Sequence, residues 1–315
     1  GGRARKFEHE GFVFDMGPSW YWMPEVFEGF YNKFGKTTAD FYDLTRLDPS
    51  YRIFWQDKTH WDIPAQKKEL IDLIESVEPG GGEKLVKFLE ESEFKYKAGM
   101  GKFVQKPGKS WLEYLDMDVF SASLKMDLLK SMSSYVRKFF KDPKIISLLE
   151  FPVLFLGATA NDIPALYSLM NYADMELGTW YPKGGMFRIV EAMEKIALSL
   201  NVKIVTNAPV DKIEVEGNRV KGVTAGSHFY PADAVVASAD YHHVESQLLE
   251  RQYRNYDESY WNSRKMAPSS LLYYLGVNKK LNNLLHHNLF FDADFNLHSK
   301  EIYQKPGWPT DPLFY

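Results

Sequence analysis

The sequence predicts an α/β fold, a helical middle set between segments that read as strands. Two observations predict it. From about residue 66 to 172 apolar residues recur at the helical period, and from residue 202 the period changes to 2. A third observation concerns the end of that second stretch. Its strand-like segments lead into the apolar run Ala234-Val235-Val236-Ala237 and then the small residues Ser238-Ala239-Asp240. That order suits a nucleotide-binding sheet, which ligands approach at the strand carboxyl ends.

Taken in order, Gly11-Phe12-Val13-Phe14-Asp15 reads as a short strand ending in the turn Met16-Gly17-Pro18-Ser19. Tyr51–Trp55 and Trp61–Ile63 are further strand candidates. Leu70, Leu73, Ile74 and Val77 fall at i, i+3, i+4 and i+7 on one helix face, ended by Pro79 and Gly80–Gly82. Leu85, Phe88 and Leu89 open the next helix. Leu124, Leu128, Met132, Tyr135 and Phe139 form the longest stripe. Asp142-Pro143 is an N-cap followed by proline at the first helical position. A helix is predicted over 186–200, then strands at Val202–Thr206, Val210–Val215, Arg219–Thr224, His228–Tyr230 and Ala234–Ala237. Glu216-Gly217-Asn218 is a hairpin turn between two of them. Ser270–Val277 reads as a last strand.

Composition narrows the function. The 315 residues allow one large domain or two, and 45% hydrophobic residues can build a core. Lys plus Arg number 38 against 42 Asp plus Glu, so no basic surplus exists to hold a nucleic-acid backbone. The absence of cysteine excludes disulfides, thiolate metal sites, cysteine nucleophiles and dithiol relays. No apolar run approaches the roughly 18 residues of a membrane span. The opening Gly1-Gly2-Arg3-Ala4-Arg5 lacks the features of a signal peptide and reads as the interior of a longer chain. Residues 81–145 hold 13 basic against 9 acidic residues, a local surplus that an ordinary solvated helical region or a membrane-facing one could carry.

Several motifs fail. Gly108-Lys109-Ser110 resembles the end of a phosphate loop, but Phe103 stands where its first glycine belongs. His242-His243 and His286-His287 are adjacent pairs whose side chains diverge, a poor start for a metal site. Four stretches remain. Gly1-Gly2-Arg3 offers bare backbone and a fixed charge. Asp15-Met16-Gly17-Pro18 puts a carboxylate at a tight turn. In Gly178-Thr179-Trp180-Tyr181-Pro182-Lys183-Gly184-Gly185-Met186 the glycine pair sits at a helix start, where amides and the dipole can face an electron-rich group. The fourth is the strand-rich run ending at Ser238-Ala239-Asp240.

These residues carry a resemblance. GGRA at 1–4, FDMGPS at 14–19, WYPKGG at 180–185, TNAPVDKI at 206–213 and VVASAD at 235–240 resemble, in order and spacing, segments of flavin-dependent carotenoid desaturases. LEFPVLFLGA at 149–158 and PALYSLMNYA at 164–173 point to the bacterial and fungal type of phytoene desaturase. The family's GxGxxG loop would lie before Gly1, and a second glycine-rich flavin segment beyond Tyr315.

The resemblance implies a Rossmann-like FAD-binding domain, lacking its N-terminal part, with a mixed-sheet substrate domain and a helical membrane-facing lid. Residues 1–20 and 184–245 would belong to the first, 21–65 and 246–315 to the substrate sheet, and 66–183 to the lid. Gly1, Gly2 and Arg3 would lie along the FAD diphosphate and ribityl chain. Asp15, Gly17 and Pro18 would line the flavin side of the substrate cavity. Pro182, Gly184, Gly185 and Met186 would pass the isoalloxazine ring. Val210 would meet the adenine, and Ser238, Ala239 and Asp240 would close the nucleotide pocket. Trp20, Tyr21, Trp22, Phe151, Phe155, Tyr167 and Trp180 are candidates for a substrate wall, with buried core as the plainer alternative.

The implied substrate is a hydrocarbon of roughly forty carbons. At about 0.8 kcal/mol per methylene its passage through water would cost tens of kcal/mol, so a cytoplasmic, peripherally membrane-associated enzyme is expected. The flavin would take a hydride and pass electrons to oxygen or a quinone. Asp15, Glu113, Glu150 and Asp240 are available carboxylates, among which the sequence does not choose a base. Carotenoid isomerisation, amine oxidation and a non-catalytic lipid-binding fragment are the alternatives.

Overall fold

The computed structural model describes residues 2–104, 130–264, 269–304 and 306–315. Gly1, Phe103's side chain, Gly108–Ser110, Glu113, Leu124 and Leu128 lie outside what is described. The chain forms two compact units, Gly1–Ile196 with Ala267–Tyr315, and Ala197–Met266.

The first unit opens with the antiparallel hairpin β1 (Arg5–His9) and β2 (Phe12–Met16). After helix α1 (Pro24–Asn32) come β3 (Leu44–Arg46), β4 (Tyr51–Trp55) and β5 (His60–Ile63). Strand β4 alternates Tyr51, Ile53 and Trp55 into the core with half-buried Arg52 and Phe54, the period-2 pattern of a strand with one buried face.

Helices α2 (Lys67–Val77) and α3 (Gly81–Ala98) follow. They pack closely because a Cβ on Gly81 or Gly82 would stand 3.1 or 3.0 Å from the side chains of Ile74 or Ile71. Glu75 reaches from α2 to accept the amides of Gly80 and Gly82, both at 2.9 Å, supplying the start of α3 with a side-chain acceptor. The glycine run is therefore a helix junction. Next come α4 (Met132–Phe139) and α5 (Pro143–Glu150), the latter capped by Asp142, which accepts from the amides of Lys144 and Ile145. Helix α6 (Leu169–Met175), strand β6 (Trp180–Pro182) and helix α7 (Phe187–Ser199) lead toward the second unit.

Strand β6 pairs antiparallel with β3. A second sheet places β4 between β5 and the late strand β10 (Asn288–Phe291), which runs parallel to it. One core joins Tyr51, Ile53 and Ile63 of that sheet to Leu70, Ile74, Leu85, Phe88, Val136, Ile145 and Leu149 of the helices. Burying each such side chain contributes about 1.5–3 kcal/mol. A second core gathers Tyr21, Tyr31, Tyr42, Met186, Ala192 and Ile196.

The second unit contains the antiparallel meander β7 (Lys212–Glu216), β8 (Arg219–Ala225) and β9 (His228–Pro231), with Gly217 at φ 59° in the hairpin turn. Ile213, Val244 and Leu248 form its small core.

Three expected strands are absent from the described residues. Val202–Thr206, Ala234–Ala237 and Ser270–Val277 have no ladder partner. Val236 is 95% exposed and Leu275 74%, so the buried run expected at 234–237 is not buried. β-Branched composition marks a chain suited to a pleated, half-buried surface, but only a neighbouring strand satisfies its amides and carbonyls. Among the described residues, no helix is long and apolar enough to cross a membrane.

Candidate functional site

The site grows from the end of β2. Gly17 follows it at φ 124°, where a Cβ would lie 1.9 Å from the Arg3 carbonyl oxygen, so only glycine permits this approach. The turn leaves Asp15 facing the loop between β6 and α7. Its Oδ2 accepts from Tyr181 Oη at 2.7 Å and from the Met186 amide at 2.8 Å, and its Oδ1 from the Phe187 amide at 3.2 Å. Asp15 thus caps α7 from a distant strand.

The expectation that this helix start offers free amides to an outside group is corrected: two of them are taken by Asp15. Gly185 makes that possible. At φ 103° its Cβ would stand 2.9 Å from Asp15 Oδ2, whereas a Cβ on Gly184, at φ 93°, would meet only the movable end of Arg188. The Gly185 amide donates to the Pro182 carbonyl at 3.0 Å, and Lys183 is held by the Asp43 carbonyl at 2.8 Å. Burial, with the Asp15 hydrogen bond, pushes the Tyr181 hydroxyl well above its ordinary pKa. The His286 ring lies 4.1 Å from the Tyr181 ring, and burial lowers its pKa despite the nearby Asp15.

Four of the seven wall candidates come together. Trp20 lies 5.3 Å from Trp22, 6.2 Å from Phe151 and 6.1 Å from Phe155, and Trp22 lies 5.8 Å from Phe155. Tyr51, His287 and Tyr315 complete the group, with His287 stacked on Trp20 at 4.2 Å and 10°. Phe151 is buried, while Phe155 is 51% exposed and gives the cluster a solvent face. Tyr21 and Trp180 stand together elsewhere, joined by a backbone bridge. Tyr21 is 1% exposed within the second core, and Trp180 donates its indole N–H to the Leu177 carbonyl. Tyr167 packs on the margin of the first core.

Two members of this region escape a reading by sequence. His287 sits in a pair that looks unpromising for metal, and no metal-binding group occurs among the described residues. Burial pushes its pKa down to about 3, with His286 adding to the effect, so it is a neutral ring hydrogen-bonding Tyr315 through Nδ1 at 3.2 Å. Asp174 is the other. Only 2% exposed, it accepts from Tyr51 Oη at 2.7 Å and Thr179 Oγ1 at 2.9 Å. Burial pushes its pKa up to about 6, opposed by hydrogen bonding from Tyr51, Thr179 and Trp22. Asn171 and Asp174 are both buried on this one short helix, a polar pair that needs buried partners.

Of the other candidate carboxylates, Glu150 and Asp240 have structural partners, and Glu113 lies outside the described residues. Glu150 pairs with Arg137, and burial raises its pKa against that attraction. Asp240, in the second unit, caps the turn Tyr241–His243 by accepting the His243 amide at 3.1 Å. In that unit Val210 borders the small core, while Ser238 and Ala239 lie exposed just before Asp240.

Gly2 takes φ 54° with no atom within 4 Å of where a Cβ would be, whereas the corresponding spaces at Gly184 and Gly185 are taken by Arg188 and Asp15. Arg3, Asp15, Gly17, Gly185 and Met186 form one connected group through the contacts above.

The chain is 40% identical, over its whole length, to a carotenoid 3,4-desaturase of Haloarcula japonica, of which it covers 64%. It is 29% identical, again over its whole length, to a zeta-carotene-forming phytoene desaturase of Myxococcus xanthus, covering 60% of that protein. It thus spans somewhat under two thirds of these relatives. A solved oxidoreductase from Methanosarcina mazei aligns over 74% of the chain and 49% of its own length, with 16% identity and a TM-score of 0.46. Residues 1–279 match the family described as flavin containing amine oxidoreductase. The chain belongs to that flavin-containing amine oxidoreductase family, and the membership implies FAD as cofactor.

Proposed function

We propose that the full-length protein is an FAD-dependent carotenoid desaturase. The observation that carries this reading is the 40% identity to a carotenoid 3,4-desaturase along the entire chain. Support comes from an aromatic cluster lying in the same unit as the Asp15-clamped glycine loop. Desaturation takes a hydride and a proton from adjacent carbons and leaves a double bond; the flavin, when bound, supplies the hydride acceptor.

The chain's own residues bind, orient and exclude water. Gly1, Gly2 and Arg3 would hold the diphosphate and ribityl chain, with Pro182, Gly184, Gly185 and Met186 against the ring and Asp15 fixing that loop. Gly17 and Pro18 would border the substrate side. Val210, Ser238, Ala239 and Asp240 would serve the nucleotide end. Residues 1–20 and 184–245 would then belong to the FAD-binding domain, 21–65 and 246–315 to the substrate sheet, and 66–183 to a lid. Trp20, Trp22, Phe151 and Phe155 would offer an apolar wall to the polyene, which would arrive from a membrane surface contacted peripherally. Electrons would leave to oxygen or a quinone.

The test is expression of the full-length protein in cells making phytoene, followed by pigment extraction and chromatography. More conjugated, coloured carotenes are expected. Untouched phytoene with flavin bound, together with turnover of amines, would reject the desaturase reading. Conversion without a change in hydrogen count would favour the isomerase.

A further inference from the structure

Asp174 is an acceptor-only group between two hydroxyls, and this sets the direction of the protons around it. Tyr51 donates to Oδ2 over 2.7 Å, and Thr179 donates to Oδ1 over 2.9 Å. With its proton committed to Asp174, the Thr179 oxygen keeps lone pairs, and the Trp22 indole N–H donates to it over 2.9 Å. Trp22 in turn meets Trp20 at 5.3 Å and 63°, and Trp20 meets Tyr51 at 5.3 Å. The carboxylate therefore grips the aromatic cluster at two points, Trp22 through Thr179 and Trp20 through the Tyr51 ring. These groups come from four separate stretches: the segment after β2, strand β4, helix α6 and the residue before β6. No neighbour in sequence holds them together.

We propose that Asp174 is a positioning residue that sets the orientation of the Trp22 indole through Thr179, so that the wall presents one fixed face to a polyene. The wall's role rests on the carotenoid reading above; the orientation of Trp22 does not. An asparagine at 174 could accept from one hydroxyl only, and its amide N–H groups would face the other donor. Thr179 would then have to turn its proton away, and the order of donors leading to Trp22 would be lost.

The experiment uses the full-length protein and near-ultraviolet circular dichroism in the tryptophan bands, to which the Trp20–Trp22 pair contributes. Trp22→Phe defines the part of the signal that belongs to Trp22. Asp174→Asn and Thr179→Val should each lose about half or more of that part, and the double variant no more than the larger single loss, as expected for residues acting in one chain. Thr179→Ser, which keeps the hydroxyl, should retain it. In carotenoid turnover the same two variants should raise KM about fivefold with a smaller change in kcat, because the wall orients rather than reacts.

An unchanged tryptophan signal in folded Thr179→Val would overturn the proposal, and that variant decides the matter even where Asp174→Asn fails to fold. If the dichroism behaves as expected while the parent protein turns over no carotenoid, the positioning role stands and the substrate reading falls.

Discussion

Asp15 and Gly185 are fitted to one another: the carboxylate occupies the space that any side chain at 185 would need, 2.9 Å from where its Cβ would sit. A motif that reads as flexible backbone is a seat for a carboxylate 170 residues away in the chain, and the seat fixes where α7 begins.

Gly185→Val should therefore lose bound flavin or activity in the full-length protein while its folded mass stays intact. The side chain displaces Asp15 and strains a positive-φ residue, together about 2–4 kcal/mol. Gly184→Ala strains the backbone but meets only Arg188, so about 1–2 kcal/mol is expected. Thermal melts and flavin absorbance measure both; equal losses in the two variants would remove the clamp argument.

Asp15→Ala removes acceptors from Tyr181, Met186 and Phe187 at once, and about 2 kcal/mol of stability should go with them. Asp15→Asn keeps one acceptor oxygen, enough for the Tyr181 and Met186 donors that share Oδ2, and should lose about half as much. Denaturant titration of the pair would show it, and identical losses would mean the side-chain oxygen does not hold the loop.

Asp174 and His287 should pull stability in opposite directions with pH. The Asp174 pKa is raised from 3.8 to about 6, so the folded state holds its proton longer than the unfolded chain. Its contribution is present below about pH 4 and is lost as pH rises toward 6, a swing of about 3 kcal/mol. Relative to the parent, Asp174→Asn should become progressively more favourable across that window. Stability curves at pH 4, 5 and 6 for both proteins provide the check, and a constant difference would show Asp174 ionising normally.

The His287 pKa falls from 6.5 to about 3, so the folded state resists its protonation. That stability is present above pH 6.5 and erodes as pH falls toward 3. His287→Phe keeps a ring on Trp20 and should lose the erosion in this window at a small penalty for the missing Tyr315 bond. Acid unfolding that is unchanged in the variant would place the titration elsewhere.

The 81–145 basic surplus predicts that the full-length protein floats with anionic liposomes and is partly released by salt, since screening weakens such contacts. Flotation at low and high salt tests it; soluble behaviour at low salt would remove the membrane reading.

What could be read from sequence was local. The α2 stripe, the Asp142-Pro143 cap of α5 and the Gly217 hairpin each depend on residues a few positions apart, and each stands in the structure. Partnerships across long separations were out of reach. Nothing in Asn288–Phe291 announces that it runs parallel to Tyr51–Trp55, and nothing in 202–206 or 234–237 reveals that no described strand lies alongside. The site divides the same way. Asp15 and Gly184-Gly185 stand out singly as a carboxylate at a turn and glycines at a helix start, but their fit is three-dimensional. Asp174 looks like any polar residue in a short helix until its burial is known.

The clamp also bears on the order of assembly. Asp15 and the Met186 amide are 171 positions apart, and Arg52 meets a carbonyl 231 positions on. Contacts of such reach must overcome the entropy of closing very long loops before they contribute, whereas the α2–α3 junction closes almost at once. The helical core should condense first and the glycine loop dock late. Substitutions at Asp15 would then mainly quicken unfolding and leave the refolding limb of a chevron unmoved, so the glycine loop would be the first part of this unit to open under stress.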